Sequence, residues 1–431
     1  MERVVQTVDV FRTSRGLPEN YVSRARVDGA FVSALTQDSH IVVHGSSKQG
    51  KTSLRKKNLM ESDYVVIVCS NNWSLTDLHI SILKEVGYQV SVSESKTIKG
   101  NSKVKLSVTI PFFSGVKGEG EVGAELAKQI NKKNLELDPS DVNDVIRALK
   151  EIGFNKYIII EDFHYMPEQA QVDFSVALKA FHELSSICFV IVGVWLEEDR
   201  LTSHNGDLAG RVISINADSW DGSDFDELFL VSESLLNIYF DDLFKKEVKS
   251  FCNGSVFLVQ QLCLRACESE DVYQTLKDNR VIGKGFLVEK NIKELLSSQN
   301  PRYIKFLNDF SSGFEVTELE LYKWILYAII VAGKKNLELG LPAAAARRSI
   351  ELVHPKSSAV SAKKLVQALR KSVDLQVNKA IKPIVFEYDP NSMRIKIVDR
   401  SFLLWKEYQD VKELLGYADL CDDIESHESA R

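Results

Sequence analysis

The residues best suited to chemistry form the run Gly45-Ser46-Ser47-Lys48-Gln49-Gly50-Lys51-Thr52, which is followed by Ser53. Two glycines separated by four residues and followed by Lys and Thr make the phosphate-loop pattern. Glycines let backbone N–H groups turn toward phosphate oxygens, and a helix beginning at Lys51 adds partial positive charge. Lys51 can reach the β- and γ-phosphates, and the Thr52 hydroxyl can bind Mg²⁺. The run therefore predicts a site for ATP and Mg²⁺; the alternative is a glycine turn with a surface lysine.

Two acids, Glu161 and Asp162, directly follow the apolar run Tyr157–Ile160. An apolar strand that ends in two acids is the Walker B pattern of P-loop ATPases, in which one acid holds Mg²⁺ and the other orients the attacking water. The usual order is Asp then Glu, and here it is reversed. We assign Glu161 to the metal and Asp162 to the water, with the opposite assignment left open, and the shorter Asp162 side chain predicts slow hydrolysis. The alternative is a pair of solvated acids at a strand-to-loop turn.

An arginine, Arg211, closes the glycine-bounded loop that begins at Gly206, just before a further apolar run. Oligomeric ATPases place an arginine finger at such a position, where it stabilises charge on the γ-phosphate of a neighbouring subunit. Arg200 lies close by in the sequence. The alternative is a surface arginine that pairs with Asp207 or Asp199.

Apolar runs alternate with helical patterns through the first half of the chain. The predicted strands are His40–His44, Tyr64–Cys69, Tyr157–Ile160, Ile187–Val194 and Val212–Ile215, and the predicted helices are Lys51–Met60, Leu75–Val86, Asp141–Ile152 and Glu168–Leu184. Strands that are apolar on both faces and alternate with helices indicate a parallel sheet covered on both sides. The run Ile187–Val194 ends without Asn, Thr or Ser, so no γ-phosphate sensor is assigned there, and Trp195 is expected to be a packing residue.

Composition divides the remainder into further units. We predict an ATPase core at 1–220 with an insertion at about 88–138, a helical lid at 221–298, a winged-helix-like domain at 299–415 and a polar tail at 416–431. The insertion is rich in Ser, Lys and Gly and contains the alternating stretch Val104–Ile110, which predicts a β-hairpin. The fold class is therefore α/β, with a parallel-sheet P-loop NTPase core, a helical lid and a C-terminal winged helix.

The C-terminal region is basic although the whole chain is not. Between Ala343 and Arg400 there are twelve Lys or Arg and five Asp or Glu. A helix at Ser361–Lys371 carries Lys363, Lys364, Arg370 and Lys371, and Ile384–Val398 resembles a wing with a turn in the middle. A basic helix beside a wing is suited to duplex DNA; the alternatives are a solvated basic face or a winged helix used for packing or protein contact.

The composition sets limits on the function. The net charge is −6 and the pI about 5.9, which argues against a protein that coats nucleic acid. The pair Cys263 and Cys267 has no partner set that would complete a zinc site. The N-terminus has no signal-peptide pattern, and the longest apolar run, Trp324–Gly333, is too short to span a bilayer and predicts a buried helix. We therefore expect a cytoplasmic protein that does not bind a membrane.

These motifs together resemble the AAA+/STAND superfamily of P-loop ATPases, especially the origin-recognition and archaeal-type branch. The resemblance covers about residues 15–270, with a winged-helix-like continuation to about 410, and is carried by Gly45–Ser53, Ile159–His164, Gly206–Arg211 and Asn253–Val259. The stretch Tyr21-Val22-Ser23-Arg24 resembles the box that such ATPases place against adenine, which implies nucleotide contacts by Tyr21 and Val22. At Val256 the sequence departs from the lid motif of STAND proteins, which has proline at that position.

The resemblance implies an ATP-driven switch that forms a homo-oligomer and acts on a separate effector protein, in bacterial anti-phage defence or a similar regulatory system. No effector motif is recognisable in the chain itself. Two other functions stay open: a DNA-transaction ATPase, such as a loader or initiator, and a nucleotide-binding scaffold with little turnover. A small-molecule P-loop kinase is less compatible with the predicted lid and winged helix.

Overall fold

The computed structural model describes residues 3–93, 105–109 and 134–420. Its strands are β1 (His40–His44), β2 (Tyr64–Val68), β3 (Gln89–Ser93), β4 (Lys105–Thr109), β5 (Asn134–Leu137), β6 (Tyr157–Glu161), β7 (Phe189–Val192), β8 (Val212–Asn216), β9 (Ile238–Phe240), β10 (Arg280–Ile282), β11 (Leu341–Pro342), β12 (Phe386–Asp389) and β13 (Arg394–Ile397).

The helices lie between these strands. They are α1 (Thr7–Val10), α2 (Ala30–Leu35), α3 (Lys51–Asn58), α4 (Leu75–Glu85), α5 (Val142–Glu151), α6 (Glu168–Leu184), α7 (Arg200–His204), α8 (Gly222–Leu236), α9 (Asp242–Cys252), α10 (Val256–Glu268), α11 (Val288–Ser297), α12 (Asn300–Ser311), α13 (Leu321–Val331), α14 (Lys334–Glu338), α15 (Ala343–Val353), α16 (Ala362–Arg370), α17 (Ser372–Asn378), α18 (Arg400–Glu407) and α19 (Val411–Tyr417). Among the described residues, no helix is long and apolar enough to cross a membrane.

The core is a parallel five-stranded sheet in the order β2-β6-β7-β1-β8. Its central strands are buried on both faces: Ile158, Ile159 and Ile160 are fully buried. Such strands are continuous apolar runs because helices cover both sides of the sheet. All five predicted core strands are therefore confirmed, and the α/β P-loop NTPase core is the fold that the alternation predicted.

The insertion contains more strand than the single hairpin that the sequence predicted. Strands β3, β4 and β5 form an antiparallel sheet with β4 in the middle. The hairpin prediction recognised only the alternating stretch around β4. The flanking segments Gln89–Ser93 and Asn134–Leu137 alternate as well, but over only five and four residues. Residues 94–104 and 110–133, including both ends of Val104–Ile110, lie outside the described residues.

The predicted lid is not purely helical. Helices α8 to α11 are joined by a parallel pair of strands, β9 and β10, in which Ile238 lies opposite Arg280. Three-residue strands are too short to show a periodic pattern, so the sequence missed them. The N-terminal segment packs on the same unit, since Val5 and Phe11 belong to its core and the Thr7 hydroxyl donates to the Val272 carbonyl at 2.9 Å.

The C-terminal unit has the arrangement of a winged helix. Helix α13, strand β11, helices α15 and α16 and the hairpin β12–β13 follow in that order, and β13 pairs with both other strands. The predicted buried helix is α13, in which Trp324 is 2% exposed. The wing turn is fastened by Asp389, whose Oδ1 accepts from the amides of Asn391 and Ser392.

The winged helix packs against the end of the sheet where the parallel strands finish. An apolar cluster joins Tyr165 and Val194 of the core to Val377, Ile384 and Val398 of the winged helix. Because parallel strands end at one edge, the segments that follow β1, β6 and β7 all lie on this side. The winged helix therefore lies directly beside the segments that carry the phosphate loop and the two acids.

Candidate nucleotide-binding site

A cavity of about 350 Å³ opens where β1, β6 and β7 end, between the core and the lid. Of the predicted site residues it is lined by Tyr21, Val22, Lys48, Gln49, Gly50, Lys51, Thr52, Ser53, Glu161 and Asp162. The loop and both acids are far apart in the sequence, yet they line one cavity. Gly45, Ser46, Ser47 and Arg211 do not line it.

The first three residues of the phosphate loop are fastened to the protein. Their amides donate to the Trp195 carbonyl (2.9 Å, from Gly45), to Asp218 Oδ1 (2.8 Å, from Ser46) and to the Val398 carbonyl (3.3 Å, from Ser47). Gly45 has φ +135°, and an added Cβ would lie 2.9 Å from Asp218 Oδ1, so only glycine fits there. The amides available to a phosphate are therefore those from Lys48 onward, at the start of α3.

Lys51 is buried at the floor of the cavity and turns back onto its own loop. Its Nζ donates to the carbonyls of Gly45 (2.9 Å) and Ser46 (2.6 Å). Burial lowers the pKa of Lys51 to about 8, and the charges of Asp218, Glu161 and Asp162 act in the opposite direction. The ammonium thus bonds to two carbonyls but forms no ion pair within the described part of the chain, so an anion such as phosphate would stabilise its charge.

The two acids have different surroundings. Glu161 ends β6, and its Oε1 lies 3.2 Å from Nε of Arg55 in an ion pair that is largely buried. Burial raises the pKa of Glu161, and the Arg55 charge opposes that rise. Asp162 has φ +58°, which turns the chain directly after the strand. Burial raises its pKa as well, and the charges of Lys382 and Lys51 oppose the rise.

The segment upstream of the loop forms one wall of the cavity. Val22 is 3% exposed, and the Tyr21 hydroxyl donates to Asp28 Oδ1 at 2.6 Å. The Arg24 guanidinium lies 4.0 Å from the ring centroid of Trp220, whose Nε1 donates to the Gln49 carbonyl at 3.3 Å. Trp220 thereby ties the upstream segment to the phosphate loop.

The lid supplies the opposite wall. Phe257 lies under the ammonium of Lys48, with 3.9 Å between Nζ and the ring centroid. Gln260 and Asn20 exchange side-chain hydrogen bonds of 2.8 and 2.9 Å. The sequence had singled out Asn253–Val259 but not Gln260, Trp220 or the loop 12–16, which also lines the cavity. Gln260 and Trp220 are single residues and 12–16 is an irregular loop, so none of them has a spacing pattern that could have revealed it.

Arg400 of the winged helix reaches the back of the phosphate loop. Its Nε donates to the Ser46 hydroxyl at 3.4 Å, its Nη1 donates to the Asn253 carbonyl at 3.3 Å, and its Nη2 lies 3.6 Å from Asp218 Oδ2. The Ser46 hydroxyl in turn donates to Asp218 at 2.6 Å. One arginine therefore contacts the loop, the segment after β8 and the lid.

Arg211 lies at the opposite end of the strands, where β1 begins. Its carbonyl accepts from the amide of His40, at the first residue of β1, whereas the phosphate loop follows the last. A five-residue strand separates the two by roughly 15 Å. Its guanidinium pairs with the Glu183 carboxylate at 3.0 Å and also donates from Nη1 to the backbone carbonyl of Asp207, one of the two predicted partners. The Asp207 carboxylate itself pairs with Lys179. Within one chain the predicted finger does not reach the cavity.

The basic helix of the winged helix faces the core. Lys363, Lys364, Arg370 and Lys371 are exposed, but Lys364 and Lys371 line a cleft of about 1050 Å³ that separates α16 from the core. The far side of that cleft carries Glu168 at the start of α6. Lys363 and Arg370 do not line the cleft, so duplex DNA could contact them without a movement of the winged helix, whereas the cleft limits access to Lys364 and Lys371.

Two smaller expectations concern packing residues. Trp195 is fully buried, as predicted, and a Cβ added to Gly193 would lie 1.5 Å from its ring, which explains the glycine at the end of β7. Cys263 and Cys267 are buried free thiols. Across the described residues, no group of three or more His, Cys, Asp or Glu could hold a metal ion.

A phosphate loop after the first strand of a parallel sheet in this order defines an α/β P-loop NTPase core, here with a C-terminal winged helix. No protein-family model matches the sequence, and no curated protein matches it. The chain is similar to the solved structure of a Walker-type ATPase of Pyrococcus abyssi, with 13% identity and a TM-score of 0.49 over 92% of this chain and 99% of that one.

Two further similar structures are the ORC2 protein of Aeropyrum pernix in ADPNP–ADP complexes and Cdc6p from Pyrobaculum aerophilum. The first has 13% identity, a TM-score of 0.46 and coverage of 98% of each chain. The second has 14% identity, a TM-score of 0.36 and coverage of 99% of this chain and 100% of that one. The fold assignment depends on this chain's own strand order and phosphate loop.

Proposed function

We propose that the protein binds ATP with Mg²⁺ in the 350 Å³ cavity and hydrolyses it. The observation that carries this proposal is that Lys51, the amides from Lys48 onward and both acids line one cavity. Thr52 and the acid carboxylates offer the hard oxygen ligands that Mg²⁺ prefers. They would hold the ion, which when bound would neutralise charge on the β- and γ-phosphates.

The residues of this chain divide the remaining work. The amides of Lys48–Thr52 and the Lys51 ammonium bind the phosphates, because they are the donors at the start of α3. Asp162, which is not part of the Arg55 ion pair, orients and deprotonates the attacking water. Glu161 is held by Arg55, which fixes its carboxylate near the loop.

Turnover measurements on two variants test this division. We expect Asp162→Asn to retain ATP affinity and to lose at least about 100-fold in hydrolysis rate, which is a typical contribution of a general base. Glu161→Gln should weaken the binding of Mg²⁺, so that a higher Mg²⁺ concentration is needed for half-maximal hydrolysis. If Glu161→Gln abolishes hydrolysis and Asp162→Asn shifts the Mg²⁺ dependence, the two roles are exchanged. If neither change affects turnover, the site is not catalytic.

We further propose that nucleotide binding switches the protein between assembly states, through which it acts on a separate effector in bacterial anti-phage defence or a similar regulatory system. The support is the direct contact between winged helix and loop: the Ser47 amide donates to Val398, and Arg400 contacts Ser46 and Asp218. A change in the conformation of the phosphate loop would therefore alter these contacts with the winged helix. Arg211 would then act on the nucleotide of a neighbouring subunit, since it does not reach its own.

The particle mass with and without ATP tests the switch. Wild type should form a larger particle with ATP and Mg²⁺ than with ADP, measured by light scattering. Arg211→Ala should still bind nucleotide but should lose hydrolysis in the larger particle. A constant mass in every nucleotide state would contradict the switch while leaving ATP binding untouched.

Duplex DNA binding is the second candidate function, and the exposed cations of α16 favour it. Because Lys364 and Lys371 line the cleft against the core, DNA binding should be stronger in a nucleotide state that opens this cleft. Lys363→Ala and Arg370→Ala should each weaken binding and reduce its salt dependence by about one unit in the log–log slope. No DNA binding at low salt in any nucleotide state would exclude this second function. If ATP binds but is not hydrolysed, the remaining function is that of a nucleotide-binding scaffold.

A further inference from the structure

One edge of the parallel sheet is an uncharged apolar strand. Strand β2 ends the order β2-β6-β7-β1-β8, and within the described residues it pairs with β6 alone. An edge strand presents unpaired N–H and C=O groups to any other extended chain, and proteins usually protect such an edge with charges, proline or a covering segment. The sequence of β2, Tyr-Val-Val-Ile-Val, contains neither a charge nor a proline.

The backbone groups of β2 alternate between the sheet and its free edge. The Cys69 amide donates to the Glu161 carbonyl at 3.0 Å, so positions 65, 67 and 69 are those that bond to β6. The N–H and C=O groups of Tyr64, Val66 and Val68 therefore point away from the sheet. No residue in the described part of the chain bonds to them.

This edge is complementary to itself. In an antiparallel pair, residues whose N–H and C=O groups point toward the partner strand lie opposite each other and exchange two hydrogen bonds. A two-fold axis at Val66 places Val66 opposite its own counterpart in a second copy of the chain, and it places Tyr64 of each copy opposite Val68 of the other. Every outward group of β2 then has a partner. An interface in which the same patch serves both chains is that of a two-fold dimer.

The side chains are compatible with the same register. Tyr64 and Val68 form an aromatic and β-branched pair, which stabilises neighbouring strands, and the pairing covers Val68, which is 57% exposed. Asp63, the charged residue nearest to the strand, comes opposite Cys69 of the second copy and not opposite another acid. A second copy therefore meets no like charge along this edge.

The other end of the sheet is less suited to such pairing. In β8 the Ala217 amide donates to the His44 carbonyl at 2.8 Å, so the outward positions include Ser214 and Asn216. Asparagine is depleted in strands, whereas valine is enriched. The Ser214 hydroxyl also donates to the Glu198 carbonyl at 2.6 Å, so the segment after β7 contacts this strand. Of the two edges, β2 is the one that favours another strand.

We propose that β2 is an interface at which two copies of the chain pair antiparallel about a two-fold axis at Val66, so that their parallel sheets join into one continuous sheet. The pairing requires no nucleotide and uses no residue of the proposed ATP site, so it goes beyond the proposed function. The unit of any nucleotide-driven assembly is then a dimer.

Light scattering of the nucleotide-free protein over a wide range of concentration tests the interface. Wild type should be a dimer that dissociates on dilution. Val68→Pro removes an outward N–H group that the bond to β6 does not use. It should raise the dimer dissociation constant at least about tenfold, because each dimer loses two hydrogen bonds. Val68→Thr is the matched control: it keeps the N–H group and the β-branched shape, and it should leave the dissociation constant unchanged.

Disulfide cross-linking tests the register without a proline substitution. Residues opposite each other in a hydrogen-bonded antiparallel pair have Cα atoms about 5.5 Å apart, which is within the range of a disulfide. Val66→Cys should therefore form a covalent dimer on oxidation. Val68→Cys should not, because the two copies of that position lie roughly 13 Å apart along the strands.

Three results would overturn the inference. A wild type that stays monomeric at every concentration would mean that another segment of the chain, or a different protein, occupies the edge. A dimer that survives Val68→Pro, or that cross-links through Val68→Cys as fast as through Val66→Cys, would place the interface elsewhere. A dimer that forms only with ATP would belong to the nucleotide switch. ATP binding, measured separately by calorimetry, stands in all three results.

Discussion

The affinity for ATP should fall as the pH rises above about 8, because Lys51 loses its proton there. Burial lowers the pKa of Lys51 from 10.5 to about 8 in the protein without nucleotide. Each pKa unit corresponds to about 1.36 kcal/mol, so the buried ammonium is disfavoured by about 3 kcal/mol relative to water. A bound triphosphate supplies the missing counter-charge and raises this pKa again. ATP binding above pH 8 must then take up a proton.

The direction of this pH effect follows from the linkage between proton binding and ATP binding. A base whose pKa is lower in the free protein than in the complex binds fewer protons before the ligand arrives, so affinity decreases as pH rises. With a free-protein pKa of about 8, the charged fraction of Lys51 falls about tenfold between pH 7 and pH 9, and the ATP affinity should fall with it. Calorimetry at pH 8.5 in buffers of different ionisation enthalpy should detect the uptake of about 0.75 proton, because about a quarter of the Lys51 side chains are already charged there.

The control is Lys56→Met, which removes a second lysine that lines the cavity and should keep the same pH profile. An ATP affinity that stays flat from pH 7 to pH 9, without proton uptake at pH 8.5, would refute the reasoning. The same lysine also contributes to the stability of the nucleotide-free protein: the free energy of unfolding should rise between pH 8 and pH 10.5, where the unfolded chain holds more protons.

The other predictions concern the buried charges and thiols. Burial and the charge of Glu387 raise the pKa of Glu197 to about 7. The free energy of unfolding should therefore fall as the pH rises from about 4.5 through 7. Glu197→Gln should have a higher melting temperature than wild type at pH 8 and the same melting temperature at pH 5. A Glu197→Gln profile that still follows wild type would contradict this. Burial raises the pKa of Cys267 to about 12, so its thiol should resist alkylation at pH 8 until the protein is unfolded; rapid labelling of folded protein would disprove it. Arg55→Met should destabilise by about 3 kcal/mol in urea denaturation because Glu161 loses its partner, and the double change with Glu161→Gln should recover much of that loss.

The core of the fold could be predicted from the sequence because a buried parallel strand is a recognisable apolar run. The stretch Tyr157–Ile160 is such a run, and the structure places it inside the sheet. The phosphate loop is equally local, since its pattern lies between one strand and one helix. The short strands β9 and β10 could not be predicted, because three residues carry no periodicity and the pair is held by tertiary packing.

The candidate site could be predicted only where it is made of local patterns. The loop residues from Lys48 onward and the two acids come together as the shared strand edge requires. Asp218 and Arg400 contact the back of the loop from positions 172 and 354 residues away along the chain from Ser46. Nothing in their immediate sequence marks them. Asp218 reaches the loop because β8 pairs with β1 in the sheet, and Arg400 reaches it because the winged helix packs against the core.

The measurement that tests the central claim most directly is calorimetric titration of Mg²⁺ and ATP into wild type and Lys51→Ala at pH 7. The account predicts one saturable site per chain in wild type and a loss of at least about 100-fold in affinity in the variant, because a buried charge pair with phosphate contributes several kcal/mol. Both proteins should have the same fold by circular dichroism. Equal affinity in the two folded proteins would contradict the assignment of the cavity to the nucleotide.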